Sequence, residues 1–331
     1  MEAEITATNK PSFVQTLKDL WKRFGPVVAS FLGLIAVVII FAIVTGGKLF
    51  QVKTLRNIVN QSVITAIVAT GAVFLFSLGM IDLSLGSTCA VAAILAVQLA
   101  GKFNNNLVIL LVGCVILSVL VLSTNGLIIG LSKLPSFIVT LVMMNILTSL
   151  AKLVMPSGTD TVRIPYSVAS ILDNTWFMVL CLAIIIVAGV VIYNFTPLGR
   201  KSKVLGSNRV NADLSGVNFF KTTFFSYMIC GIAVGVGAFL LVIRNSGASY
   251  TTGAQIGFDV IICLVLGAMP ISGGVASKIS AGVIGSFTIV ILNNGLALAG
   301  VPGSYIQAIR AVVFLVIVTL LLFKSRTKLL A

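Results

Sequence analysis

The sequence predicts an all-α, polytopic membrane protein with about ten transmembrane helices and both termini in the cytoplasm. Three observations carry this. Of 331 residues, 58% are hydrophobic and only 9% charged, whereas soluble domains are roughly half apolar and about a quarter charged. The mean hydropathy is +1.16. Apolar runs near the ~20 residues that cross a hydrocarbon core recur along most of the chain. So little charge cannot cover a water-facing surface, which makes lipid the main solvent.

The elements follow in order. Residues 1–25 are read as a cytoplasmic N-terminal segment in which Phe13, Leu17, Leu20 and Trp21 lie among Lys18, Lys22 and Arg23. That pattern suits a short amphipathic helix on a membrane surface. The stretch is too polar for a cleavable leader, so the apolar run after it is a first span. Pro26 suits the start of span one, about 27–45, and Gly46-Gly47 its end. Spans two to five cover about 58–78, 84–100, 107–131 and 136–154. A polar segment, 155–174, precedes span six at about 175–194, and the longest polar stretch, 196–222, follows it. Spans seven to ten lie at about 223–243, 258–270, 279–297 and 305–323, so the transmembrane domain is 26–323. Residues 324–331 form a basic cytoplasmic tail.

The net charge of +14 comes from 22 Lys+Arg against 8 Asp+Glu. In a soluble chain it would point to nucleic acid. With the termini inside, fourteen basic residues fall on the cytoplasmic side and seven outside, leaving Arg310 within a span. That asymmetry is the positive-inside signal, so membrane lipid is the expected partner and nucleic acid is not. There is no histidine, which removes histidine-based triads and the commonest metal ligand. Cys89, Cys114, Cys181, Cys230 and Cys263 lie in apolar runs without CxxC spacing and read as buried thiols. Neither catalytic residues nor a metal site are expected.

Polar residues inside apolar spans are costly and are therefore candidate functional residues. Asp82 lies in the break between spans two and three, with Ser84, Gly86 and Ser87 beside it. Such breaks are tolerated where the freed backbone faces protein or a cavity, and discontinuous helices often line translocation paths. Asp82 can equally cap the next helix through the N–H of Ser84 or Leu85. Asn293 and Asn294 put two amides late in span nine, for a polar solute or for pairing with a neighbouring helix. Arg310 in span ten has Asp259, at the head of span eight, as its expected ion-pair partner. Gly231, Gly235, Gly237, Gly282 and Gly285 suit close helix packing. The 196–222 stretch reads as a short helix offered to a soluble partner or as a solvated basic loop.

Several ordered motifs carry a resemblance. They are Met80-Ile81-Asp82-Leu83-Ser84-Leu85-Gly86-Ser87, then Asn125-Gly126, then Leu134-Pro135-Ser136-Phe137-Ile138-Val139-Thr140. Thr196-Pro197-Leu198-Gly199-Arg200, Gly206-Ser207-Asn208, Leu214-Ser215-Gly216-Val217, Ser272-Gly273-Gly274 and Asn293-Asn294-Gly295-Leu296 follow. Over roughly 50–325 the chain resembles the permease subunits of bacterial ABC importers for monosaccharides, the family of the ribose and autoinducer-2 permeases. The resemblance implies a multi-pass protein of the bacterial inner membrane that pairs with a second permease chain, identical or different. It implies two further partners, a cytoplasmic ABC ATPase subunit and an extracytoplasmic solute-binding protein. It implies a solute path touching Asp82, Ser84, Phe137, Thr140, Asn293 and Asn294. It also implies a coupling helix within 199–217 that uses Gly199, Arg200, Gly206, Asn208, Ala212, Leu214, Ser215 and Gly216. The chain departs from the family at Asn211-Ala212, where two alanines are usual, at Asp213, over Gly257–Cys263 and at Gly267-Ala268-Met269.

No GxxxxGK[ST] motif occurs, so no cofactor is expected on this chain and ATP is expected to be used by the partner ATPase. An ion-coupled secondary transporter of a small polar solute is the alternative. It would want more titratable groups in its spans than Asp82, Asp259 and Arg310. A third class is a structural partner inert outside a larger complex.

Overall fold

The structure, a computed structural model, describes residues 13–326 and is almost wholly helical. The helices are α1 (Phe13–Val44), α2 (Val52–Ser77), α3 (Leu85–Lys102), α4 (Leu107–Ser132) and α5 (Ser136–Leu153). Next come α6 (Tyr166–Ala169), α7 (Thr175–Phe195), α8 (Pro197–Ser207), α9 (Arg209–Leu214) and α10 (Phe219–Asn245). Then follow α11 (Ile256–Leu266), α12 (Ile279–Leu298) and α13 (Gly303–Arg326). Among the described residues, eight helices are long and apolar enough to cross a membrane, and α11 and α13 add two shorter apolar stretches. The two shorter stretches stand where spans eight and ten were expected.

α2 is the axis of the bundle: nearly every residue from Ser62 to Ser77 is buried. α10, α12, α11 and α7 pack against it, α4 lies on α10 and α3, and α5 lies on α3. α1 covers α12 and leaves most of its surface outward. The glycines permit these approaches. A Cβ on Gly235 would come 2.5 Å from the Val115 Cα, and one on Gly231 2.7 Å from the Val119 Cα, so α10 and α4 touch backbone to backbone. Gly282 stands in the same way against Ala69 of α2. Without a hydrophobic force between helices in lipid, such contact supplies the dispersion that holds them.

Local signals set the helix ends. Asn106, Asn174 and Asn218 cap α4, α7 and α10 with their side-chain oxygens, each satisfying a first-turn N–H. α2 stops at Gly79, whose φ of 72° lets the Met80 N–H return to the Leu75 carbonyl at 3.0 Å. That bond closes the helix with its orphan carbonyl satisfied.

Three features differ from the sequence reading. α1 runs without a break from Phe13, so Pro26 lies inside it rather than at its start. The amphipathic face expected before Arg23 and the tail beyond Arg326 lie outside the described side chains. The 196–222 stretch holds two short helices, α8 and α9. The 155–174 segment carries a strand, β1 (Thr161–Arg163), paired antiparallel with β2 (Gly247–Ser249) beyond α10. Three-residue strands leave no sequence period to read. Four cysteines are buried, Cys181 is half-buried, and all five are free.

Candidate functional site

The break between α2 and α3 is built around Asp82, which is 2% exposed. Its Oδ1 accepts the Ser84 N–H at 2.6 Å and the Ser84 hydroxyl at 2.7 Å. Asn125 of α4 donates to Asp82 Oδ2 at 3.3 Å and to Ser84 Oγ at 2.9 Å. Asp82 therefore does reach the Ser84 N–H, and the same carboxylate ties the break to α4. Gly126 makes this possible: a Cβ there would lie 2.8 Å from the Tyr227 Cβ, so α10 closes tightly over the cluster. On the other side, Thr140 of α5 accepts the Leu83 N–H at 3.3 Å and Ser136 accepts the Ile81 N–H at 3.2 Å. The freed backbone thus faces protein, the condition under which irregular chain is tolerated at membrane depth.

Phe137 lies on the outward face of α5 and is 50% exposed. Sequence reasoning placed it beside Asp82, Ser84 and Thr140. The structure puts Asp82, Ser84 and Thr140 in one buried cluster and leaves the Phe137 side chain outside it, half-exposed on the helix surface.

Asn294 belongs to a different cluster. It donates to Gln61 Oε1 at 2.8 Å and to the Val290 carbonyl at 2.9 Å, and its own Oδ1 accepts from Asn57 at 3.2 Å. Gln61 donates to Asn57 Oδ1 at 3.5 Å, closing a ring of three carboxamides, and Arg244 of α10 donates to that oxygen at 2.5 Å. The ring joins α2, α12 and α10. The Asn293 carboxamide oxygen is buried without a hydrogen-bond partner among the described residues. With twenty residues of α2 between Asn57 and Ser77, the ring stands about 30 Å from the Asp82 break. Arg310 and Asp259 form the expected ion pair between α13 and α11.

The 196–222 stretch is docked against the Asp82 end of α2. Pro197 starts α8 at its first position, where a missing N–H costs nothing. A Cβ on Gly199 would run into the Tyr193 backbone, so the corner between α7 and α8 needs glycine. A Cβ on Gly206 would strike the Ser77 carbonyl and lie 2.8 Å from the Gly274 N. Gly274 donates to that same Ser77 carbonyl at 2.9 Å, and Ser207 Oγ accepts the Val275 N–H at 3.1 Å. Ser202 shares a hydrogen bond with Ser226 of α10 at 3.2 Å. Lys203 lies 4.1 Å above the Tyr193 ring and donates to Asn194, and desolvation lowers its pKa from the usual lysine value.

Asn208 then caps α9 by accepting the Asn211 N–H at 3.1 Å, and Gly216 ends it at a φ of 75°. Ala212 is buried, whereas Val210 and Leu214 are 68% and 84% exposed. One turn apart, they make an apolar ridge on one helix face. Arg200 and Ser215 are exposed nearby.

Among the described residues, apolar helices packed around the buried α2, with polar clusters at its two ends, define a multi-pass membrane protein. The chain belongs to the family described as branched-chain amino acid transport system / permease component, which matches residues 54–318. It is similar to Ribose import permease protein RbsC of Escherichia coli K12, 30% identical over 297 residues, covering 86% of this chain and 91% of the relative. It is also similar to RbsC of Bacillus subtilis 168, 29% identical over 307 residues, covering 90% and 92%. Xylose transport system permease protein XylH of Escherichia coli K12 is 25% identical over 353 residues, covering 86% and 88%. No solved structure matches the chain. The protein is the membrane permease component of an ABC importer.

Proposed function

We propose that this permease carries a monosaccharide or similar neutral, hydroxylated solute across the bacterial inner membrane. An ABC ATPase docked on the α8–α9 segment supplies the energy, an extracytoplasmic solute-binding protein delivers the solute, and a second permease chain completes the path. The names of the relatives, two ribose permeases and one xylose permease, support the sugar assignment. The observation that carries the mechanism is the joint at Ser77. α9 offers Val210 and Leu214 outward, and through Gly206 and Ser207 the same segment bears on the C-terminal end of α2. A soluble partner that grips the ridge and moves would shift the Asp82 break and, through Thr140, helix α5. Ligand-driven shifts need such a difference in contacts between two states.

In this reading both termini and the α8–α9 segment are cytoplasmic, consistent with the basic excess on that side. ATP is consumed by the ATPase, and this chain binds no cofactor of its own. Asp82, Ser84 and Thr140 brace the wall of the path, Phe137 faces it, and Asn293 and Asn294 stand at its outer end. Gly199, Arg200, Asn208, Ala212, Ser215 and Gly216 shape the docking segment around Leu214. Copurification with the ATPase tests the docking role. L214D should lose the ATPase while inserting normally, and full retention of ATPase and of ATP-driven uptake would refute it.

A further inference from the structure

The outward face of α5 carries a row of polar side chains at the depth where lipid tails would lie. α5 packs its buried residues Val139, Thr140, Leu147 and Ala151 toward the bundle, mainly against α3. On the other side Asn145, Thr148 and Ser149 are exposed, one turn beyond Leu141 and two beyond Phe137. Residues spaced by three and four share a helix face. Asn145 is the tenth of the eighteen residues of α5, so it sits at the middle of the span.

Other outward faces look different. α7 presents Ile184, Val187 and Val191, and α1 presents Ile35, Ile39 and Ile43. Those are lipid surfaces. Asn145 returns one donor to the Leu141 carbonyl and Thr148 its hydroxyl to the Met144 carbonyl. The Asn145 carboxamide oxygen and the Ser149 hydroxyl make no hydrogen bond among the described residues. Exposed to hydrocarbon, such groups cost several kcal/mol. Facing water, they cost little. A shallow groove lined by Asn145, Ile146, Ser149, Leu150 and Leu153 runs along this face.

We propose that the Asn145–Thr148–Ser149 face of α5 lines the aqueous solute path and contacts the solute there, opposite the second permease chain. The proposal rests on the permease reading above. At mid-span the polar groups of this face are amides and hydroxyls, which match the hydroxyls of a neutral sugar; Lys152, one turn past Thr148 on the same face, lies over the Tyr250 ring at the end of the helix. Thr140, on the opposite side of the same helix, bonds the backbone of the Asp82 break. Movement of the break therefore has a direct handle on the helix that bears these groups.

Thiol labelling in the assembled importer tests this, with Cys181→Ser as background because Cys181 is the half-buried native thiol. N145C, T148C and S149C would be treated with a charged, membrane-impermeant methanethiosulfonate, alongside V187C on α7. A thiol in water ionises and reacts, and one in lipid does not, so the α5 thiols should label roughly tenfold or more faster than V187C. Labelling should block ATP-driven uptake of D-ribose or D-xylose. Three α5 thiols as inert as V187C would overturn the proposal. So would disulfide crosslinking of N145C between two permease chains without labelling, which would mean a dry interface. Wild-type importer that takes up L-leucine and neither pentose would instead overturn the sugar reading, whatever the labelling.

Discussion

At the residue scale, Asp82 is a bracket before it is anything else. Its carboxylate receives two donors from Ser84 and one from Asn125, all buried. Asp82→Ala would strand them, at a cost of about 2 kcal/mol or more. Asp82→Asn keeps an acceptor at Oδ1 and should cost less. Thermal unfolding of the detergent-purified permease should rank wild type, D82N and D82A in that order, and D82A equal to wild type would contradict the bracket. The Asx contact from Asp82 to Ser84 was legible in the sequence because both partners lie within three residues. Asn125 was not, since no local pattern reports a contact 43 residues away. The carboxamide ring was hidden for the same reason: Asn294 stood out inside its span, but Asn57 and Gln61 lie more than 230 residues earlier. Asn294→Leu breaks two bonds of the ring and its link to Val290, so it should lower the unfolding midpoint as well as uptake.

Elements are where sequence and structure agree best. A span must supply about twenty apolar residues, and that demand fixes the ends of α3, α4, α5, α7 and α12 to within a residue or two of the hydropathy runs. α11 has eleven helical residues, and the chain beyond it turns at Gly267 and Ala268, so the helix ends short of the span expected at about 258–270. Hydropathy could not divide 196–222 into α8 and α9, because both are polar and short. Their separation matters to the mechanism, since α8 bears on α2 and α9 bears the exposed ridge. Gly206→Ala pushes a methyl into the Ser77 carbonyl and Gly274, an overpacking worth about 1–3 kcal/mol. The expected result is ATPase activity retained in the assembled importer with uptake per ATP reduced several-fold, because the helix still docks but no longer seats on α2. Unchanged coupling would mean that the joint transmits nothing. L214D acts elsewhere. It is surface-exposed and should leave the unfolding midpoint within about 0.5 kcal/mol of wild type while releasing the ATPase.

For the whole molecule, the missing features are as informative as those present. Histidine and a nucleotide motif are absent from the sequence, Asp82 lies inside a hydrogen-bonded cluster, and Arg310 pairs with Asp259. A transporter driven by protons or ions wants titratable groups along its path, and here they are committed to packing. In the proposed reading energy enters from outside the bilayer, through the α8–α9 segment, whose apolar ridge is exposed and whose Gly206 is keyed against the central helix. The direct measurement is uptake of labelled D-ribose and D-xylose into proteoliposomes holding the permease, its ATPase and its binding protein, with wild type and L214D side by side. The account predicts vanadate-sensitive pentose uptake that needs ATP and all three components and is lost in L214D. Uptake driven by a proton gradient with no ATPase present would contradict it.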